Sequence, residues 1–153
     1  LMNENFIIKE ATTEDSEKIG EVFDLYRQFY KKTSDKTLSI EYIKERLSNR
    51  ESTIFFVEGN NICMGIVQLY ITFDSLELAK KIVLYDLFVK SEYRKKGIGR
   101  MLMNASKNFA EKNSISGIEL STAISNGTAQ NLYESLGYER DTEYYNYYLS
   151  IKK

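Results

Sequence analysis

The chain has 153 residues, 42% of them hydrophobic and 28% charged, which is enough for one domain with a buried core. Its formal net charge of −1 gives no global attraction to nucleic acid or an anionic membrane, so any anion must be held by a local basic cluster. There is no histidine, which excludes Ser-His-Asp and Cys-His catalysis and the usual His-rich zinc sites, and no apolar run approaches the ~18–20 residues of a membrane span.

Met2, after Leu1, reads as the natural start, which gives a single domain over 2–153 with no signal-peptide pattern. Residues 6–9 read as a first strand. Thr13 is the expected N-cap of a helix carrying Ile19, Val22, Phe23, Tyr26, Phe29 and Tyr30 at helical spacing. Ser39 is the expected cap of a second helix, to about residue 47. Strands over 53–58 and 62–73 join through Gly59-Asn60-Asn61, a hairpin turn by composition. Cys63 lies in the second of these; with no disulfide partner it suits a reducing cytoplasm and packs inside its strand. Residues 82–90 form the most apolar strand and are expected at the sheet centre. A helix over 97–112 follows, with Ile98, Met101, Leu102, Ala105 and Phe109 on one face, then a strand over 115–122. Asn126 caps a short helix over 128–135 that Gly137 stops, and residues 138–151 suggest a closing hairpin rich in tyrosine.

The central strand empties into Arg94-Lys95-Lys96-Gly97-Ile98-Gly99-Arg100, which opens a helix. Glycines allow close backbone approach, and first-turn amides point at an anion with the positive end of the helix dipole behind them. With Arg94, Lys95, Lys96 and Arg100 this makes a pyrophosphate cradle. The G-x-x-x-x-G-K-[ST] string of a nucleotide P-loop is absent. A dinucleotide fingerprint would use Gly97 and Gly99 with Glu119 downstream, but its third glycine position is Leu102 and too little chain remains for that fold.

The third ligand is coenzyme A. The segment Tyr93–Gly99 resembles the [QR]-x-x-G-x-[GA] loop of the Gcn5-related N-acetyltransferases. Downstream, Asn126 to Tyr138 resembles their N-x-x-A-x-x-x-Y-x-x-x-G-[FY] segment, in the family's order and spacing. The resemblance implies an α/β fold of the α+β type. Its mixed, mostly antiparallel sheet would have about six or seven strands with about four helices, splayed at an acetyl-CoA site. Acetyl-CoA would be the co-substrate, with no metal. The backbone of Leu87, Phe88 and Val89 would meet its pantetheine arm, the amides of Lys95, Lys96, Gly97, Ile98, Gly99 and Arg100 its pyrophosphate, and Asn126 and Ala129 its far side.

The reaction implied is direct attack of a primary amine on the thioester in a ternary complex. In the family the tyrosine at Tyr133 is the proton donor, and its transfer to a thiolate is uphill by only about 2 kcal/mol. Asp86 could draw the amine's proton through water, with a hydrogen-bonded structural carboxylate as the other reading, and Glu119 is a second candidate base. Tyr85-Asp86-Leu87-Phe88-Val89 is similar to the polyamine and thialysine acetyltransferases, except that Tyr85 replaces the glutamate facing their amine. Tyr26, Phe29, Tyr30, Tyr145 and Tyr147 are candidate acceptor lining. A small-molecule amine, a lysine or N-terminal amine on a protein, and a non-catalytic acyl-CoA sensor remain open alternatives. Homodimerisation is common in the family, and the tyrosine-rich tail could supply its interface.

Overall fold

Local hydrogen-bonding signals set the element ends, and in several places they override the pattern in the sequence. The computed structural model describes residues 5–152, so the start at Met2 lies outside the described residues. Two compact units form, one ending at Ser121 and one running from Thr122. The first contains β1 (Ile7–Glu10), α1 (Ser16–Phe29), α2 (Lys36–Ser48), β2 (Thr53–Gly59), β3 (Ile62–Asp74), β4 (Ala79–Val89), α3 (Ile98–Lys112) and β5 (Ile118–Glu119). The second contains α4 (Gly127–Ser135). Among the described residues, no helix is long and apolar enough to cross a membrane.

The sheet runs β1-β2-β3-β4-β5, antiparallel throughout except for a parallel β4–β5 pair. The architecture is the expected α/β one, with five strands among the described residues instead of six or seven. Two shortfalls account for the difference. The strand expected over 115–122 shrinks to Ile118–Glu119, because the amide and hydroxyl of Ser116 both donate to the Lys80 carbonyl at 2.9 Å in place of a regular ladder. The expected closing hairpin does not form. Residues 138–152 hold no regular element, and the Asp141 carboxylate takes the amides of Glu143 (2.8 Å) and Tyr144 (3.2 Å) in a local turn that competes with strand pairing.

Both expected caps move as well. A 3₁₀ turn over Thr13–Asp15 precedes α1, and Thr12, not Thr13, caps it, because Asp15 stands three residues on and accepts the Thr12 amide at 2.8 Å. For α2 the cap is Asp35, whose carboxylate accepts the Leu38 amide at 3.0 Å. Ser39 is instead buried and donates to Asp24. The β2–β3 turn is the expected one, with Asn60 and Asn61 at φ 52° and 60°, the left-handed pair that a two-residue hairpin requires.

Two layers of side chains cover the sheet. On one face Ile54, Phe56 and Ile66 pack with Ile19 and Val22 of α1 and Ile43 of α2, and Phe88 joins them. On the other face α3 lies across the sheet, with Phe109 against Phe55 (5.9 Å between ring centroids) and Ile98 against Gly65. Any Cβ at Gly65 would sit 3.0 Å from the Phe88 carbonyl and 3.2 Å from Ile98 Cγ2, so this glycine permits the close approach.

Asp24 ties the two sheet-covering helices together. It is 1% exposed and accepts hydrogen bonds from Ser34 Oγ (2.6 Å), the Asp35 amide (2.8 Å), Gln28 Nε2 (2.9 Å) and Ser39 Oγ (3.1 Å). Burial opposes its ionisation, but these donors outweigh burial and hold the carboxyl below its ordinary value of 3.8. Asp24→Ala leaves several buried donors without an acceptor and should cost about 2–4 kcal/mol of unfolding free energy. Because the folded value is depressed, the stabilisation is present above 3.8 and lost as pH falls through the folded value. Urea unfolding of both proteins should therefore show a gap that is constant near neutrality and narrows in acid.

Candidate active site

The basic loop has the geometry of an anion cradle. The 3₁₀ turn Ser91–Tyr93 leads into it, Lys95 adopts φ 61° and Gly97 φ 80°, and the Met101 amide donates to the Gly97 carbonyl at 3.0 Å to start α3. The amides of Ile98 and Gly99 precede that bond in the first turn of the helix, where they have no acceptor within it. A Cβ at Gly97 would meet nothing within 4 Å, so the space above it is open to a ligand. Its positive φ also makes any side chain there strained, so substitution affects folding as well as binding. Lys95 and Lys96 are exposed beside this space. The Arg94 side chain turns back: its Nε donates to the Val89 carbonyl at 2.9 Å, and its guanidinium lies 5.5 Å from the Phe88 ring and 5.7 Å from Phe29.

Only Ile82 and Val83 of β4 pair with β5, while the strand continues to Val89. Beyond Val83 that edge of β4 therefore has no ladder partner in β5. This is the splayed edge that an extended amide-bearing chain can complete.

A register shift decides what β4 presents there. Gln68 pairs with Asp86, but Leu69 pairs with Leu84, so Tyr85 is one residue extra in β4. Leu84 follows Leu69 and Val67 on the face that α3 covers. Simple alternation would send Asp86 to that face too. The bulge turns it instead to the α1–α2 face, where it is 5% exposed and accepts from Gln68 Nε2 at 2.7 Å. The Tyr26 hydroxyl of α1 lies close enough to favour its ionised form. Burial raises the Asp86 carboxyl above its ordinary 3.8, and Gln68 and Tyr26 only partly offset this. Tyr26 is in turn pushed up, first by burial and then by the Asp86 charge, so it stays protonated as a donor.

The same face carries a tyrosine-lined recess of about 380 Å³ bounded by Tyr42, Tyr70, Val83 and Tyr85. The Tyr42 and Tyr70 hydroxyls are 3.2 Å apart, and the Tyr70 and Tyr85 rings meet edge-on at 5.8 Å. Burial, then the Tyr42 hydrogen bond, push the Tyr70 hydroxyl upward, and the Asp86 charge adds to this.

Of the residues predicted from sequence, the structure brings Asp86, Tyr26 and Tyr85 to one place. Tyr30 and Phe29 extend the aromatic group along α1, with Tyr30 5.1 Å from Tyr26 and Phe29 6.1 Å from Phe88. Glu119 stands apart, in an exposed ion pair with Lys81 at 3.1 Å. In the second unit Asn126 caps α4 as expected, accepting the Ala129 amide at 3.1 Å. Tyr133 is 9% exposed with Tyr138 6.0 Å away, and Gly137 at φ 89° ends the helix. The sequence reading missed Gln68, Ser52, Tyr42 and Tyr70. Gln68 had a signal, as a lone amide in the apolar run Ile66-Val67-Gln68-Leu69.

The fold, an antiparallel sheet with one parallel pair at β4–β5 and a basic loop opening α3, is shared with known acyl transferases. The chain belongs to the acetyltransferase (GNAT) family, whose model matches residues 19–138. It is 39% identical over 144 residues to the uncharacterized N-acetyltransferase YhfO of Bacillus subtilis (strain 168), covering 94% of this chain and 97% of that one. A crystal structure of a probable acetyltransferase superposes with a TM-score of 0.89 at 32% identity, covering 96% of this chain and 99% of that one. The fold is also that of the aminoglycoside N-acetyltransferase AAC(6')-Iy in complex with CoA, at TM-score 0.79 and 15% identity over 97% of this chain and 96% of that one. The protein is thus an N-acetyltransferase, and the family's chemistry is acetyl-CoA-dependent.

The raised carboxyl of Asp86 has a thermodynamic signature. A folded value above 3.8 means that the folded protein binds this proton more tightly than the unfolded chain does. That stabilisation is complete below 3.8 and lost as pH rises through the folded value. Relative to Asp86→Asn, wild-type stability should therefore increase as pH falls through the window just above 3.8. Chemical unfolding of both proteins across that window measures the gap.

Proposed function

We propose that the protein transfers an acetyl group from acetyl-CoA to a primary amine of a small molecule, in a ternary complex assembled on β4. The observation that carries this reading is the buried Asp86 carboxyl, hydrogen-bonded to neutral Gln68, on the strand whose edge is open beyond Val83, with an open tyrosine-lined recess of about 380 Å³ on the same face. A recess of that size suits the head of a small amine, and aromatic walls suit a cation.

The cradle from Lys95 to Arg100 binds the pyrophosphate of acetyl-CoA through main-chain amides, with Lys95 and Lys96 adding charge. The open edge of β4 at Leu87, Phe88 and Val89 holds the pantetheine arm, and the family's motif assigns Asn126 and Ala129 to the same cofactor. When bound, acetyl-CoA supplies an acetyl group already activated as a thioester. Asp86 receives a proton from the acceptor ammonium, directly or through water. Its upward displacement brings its proton affinity nearer to that task, because an alkylamine is almost wholly protonated at neutral pH. The Tyr133 hydroxyl returns a proton to the departing sulfur. Tyr26, Tyr30 and Tyr85, with Tyr42 and Tyr70, line the acceptor's approach. Glu119, held by Lys81, is the weaker candidate for the base.

Free-thiol release from acetyl-CoA tests the reading against polyamines, aminoglycosides, lysine analogues and basic peptides. Turnover with a small amine supports it, and turnover confined to peptides would replace it with a protein acetyltransferase. Tyr133→Phe should lower turnover about 100-fold while acetyl-CoA affinity by calorimetry stays within about twofold. Binding with no turnover on any amine would favour an acyl-CoA sensor.

A further inference from the structure

Gln68 is 1% exposed, in the apolar run Ile66–Leu69 of β3, at a position where an aliphatic side chain would pack without a buried polar group. Both ends of its amide are used. Ser52 Oγ donates to Gln68 Oε1 at 2.8 Å, and Gln68 Nε2 donates to Asp86 Oδ2 at 2.7 Å. An amide is directional: the reverse orientation would set Oε1 against the carboxylate, acceptor against acceptor. The ionised carboxylate only accepts, so it sets the orientation in which N–H faces Asp86, and the Ser52 hydroxyl, half-buried just before β2, donates to the Oε1 on the other side.

We propose that Gln68, anchored at its far end by Ser52, is a positioning residue of the acetyl-transfer site, holding one Asp86 oxygen so that the carboxylate faces the acceptor amine. This rests on the reading of Asp86 as the proton acceptor. The bulge at Tyr85 gives Gln68 its role, because it is the bulge that sets Asp86 opposite Gln68. The groups that face Asp86 from the packed elements are Tyr26 of α1 and Tyr70 of β3, with Tyr85 next to it on β4; the Arg46 guanidinium of α2 lies 4.5 Å from the Tyr42 ring and acts electrostatically on Tyr70. Burial keeps Tyr26 and Tyr70 protonated, and of the two groups that favour the carboxylate's ionised form Gln68 acts more strongly than Tyr26.

The test is a pH titration of the Asp86 side-chain carboxyl by carbon-13 NMR in the full chain, with Asp86→Asn assigning the resonance. Gln68→Leu removes a donor to the ionised form and should raise the midpoint by about one unit, a tenfold rise in proton affinity. Ser52→Ala leaves Gln68 in place but removes the donor that anchors and polarises its amide, and should raise the midpoint in the same direction by less. If Gln68→Leu fails to fold, Ser52→Ala alone carries the sign. Midpoints unchanged in both variants, or moved downward, overturn the proposal. Failure of Asp86 as the base would appear separately, as normal turnover in Asp86→Asn while these midpoints still move.

Discussion

The extra residue in β4 is the constraint on which the site depends. Without it, strict alternation would carry Asp86 to the face under α3, the side of buried Leu84 and away from Gln68. With it, Tyr85 and Asp86 share the α1–α2 face, and the carboxyl lands between Gln68 and Tyr26 at the point where β4 loses β5 as a neighbour. Burying a carboxylate costs several kcal/mol, and hydrogen bonds to a charged group return about 1.5–3 kcal/mol each. Two neutral donors therefore leave the burial cost uppermost, which is why the carboxyl sits above its ordinary value. A cation next to Asp86 would have reversed that balance, as it does at Glu58, where Lys9 and Lys18 hold the carboxyl low.

The rest of the first unit keeps that point fixed. Asp24 locks the α1–α2 connection with four short hydrogen bonds, so Tyr26 and Tyr42 reach the sheet from helices that cannot slide apart cheaply. Ile98, 1% exposed against Gly65, seats the first turn of α3 and with it the anion cradle. Arg94 bonds the Val89 carbonyl and so ties the loop to the end of the same strand that carries Asp86. Cys63 takes no part. Burial pushes its thiol up to about 12, which leaves it an inert core residue.

How far the sequence spoke depended on whether the signal was local. The cradle was legible because glycine at a positive φ and first-turn amides are properties of a few consecutive residues, and Gly97 at φ 80° fulfils them. Asn126 was legible for the same reason, since a cap acts within three residues. The caps at Thr13 and Ser39 misled because better-placed acceptors, Asp15 and Asp35, lay nearby, and because Ser39 had a distant partner in Asp24. The bulge was hidden: Ile82-x-Leu84-x-Asp86 reads as unbroken alternation, and only pairing with β3 reveals the slip. Tyr42 and Tyr70 come from α2 and β3, and no spacing rule joins them. The tyrosine-rich tail read as strands by composition, yet a strand needs a neighbour, and Tyr144, Tyr145, Tyr147 and Tyr148 remain exposed.

The most direct test of the account is the turnover number of Asp86→Asn with acetyl-CoA and the best small-amine acceptor, measured alongside acetyl-CoA affinity. The account predicts a fall of about 100-fold or more, with acetyl-CoA affinity unchanged within about twofold, because the variant keeps the shape of the site and loses only its proton acceptor. Turnover within about twofold of wild type would contradict it, and would reduce the bulge, Gln68 and Asp86 to parts of the sheet's internal hydrogen bonding.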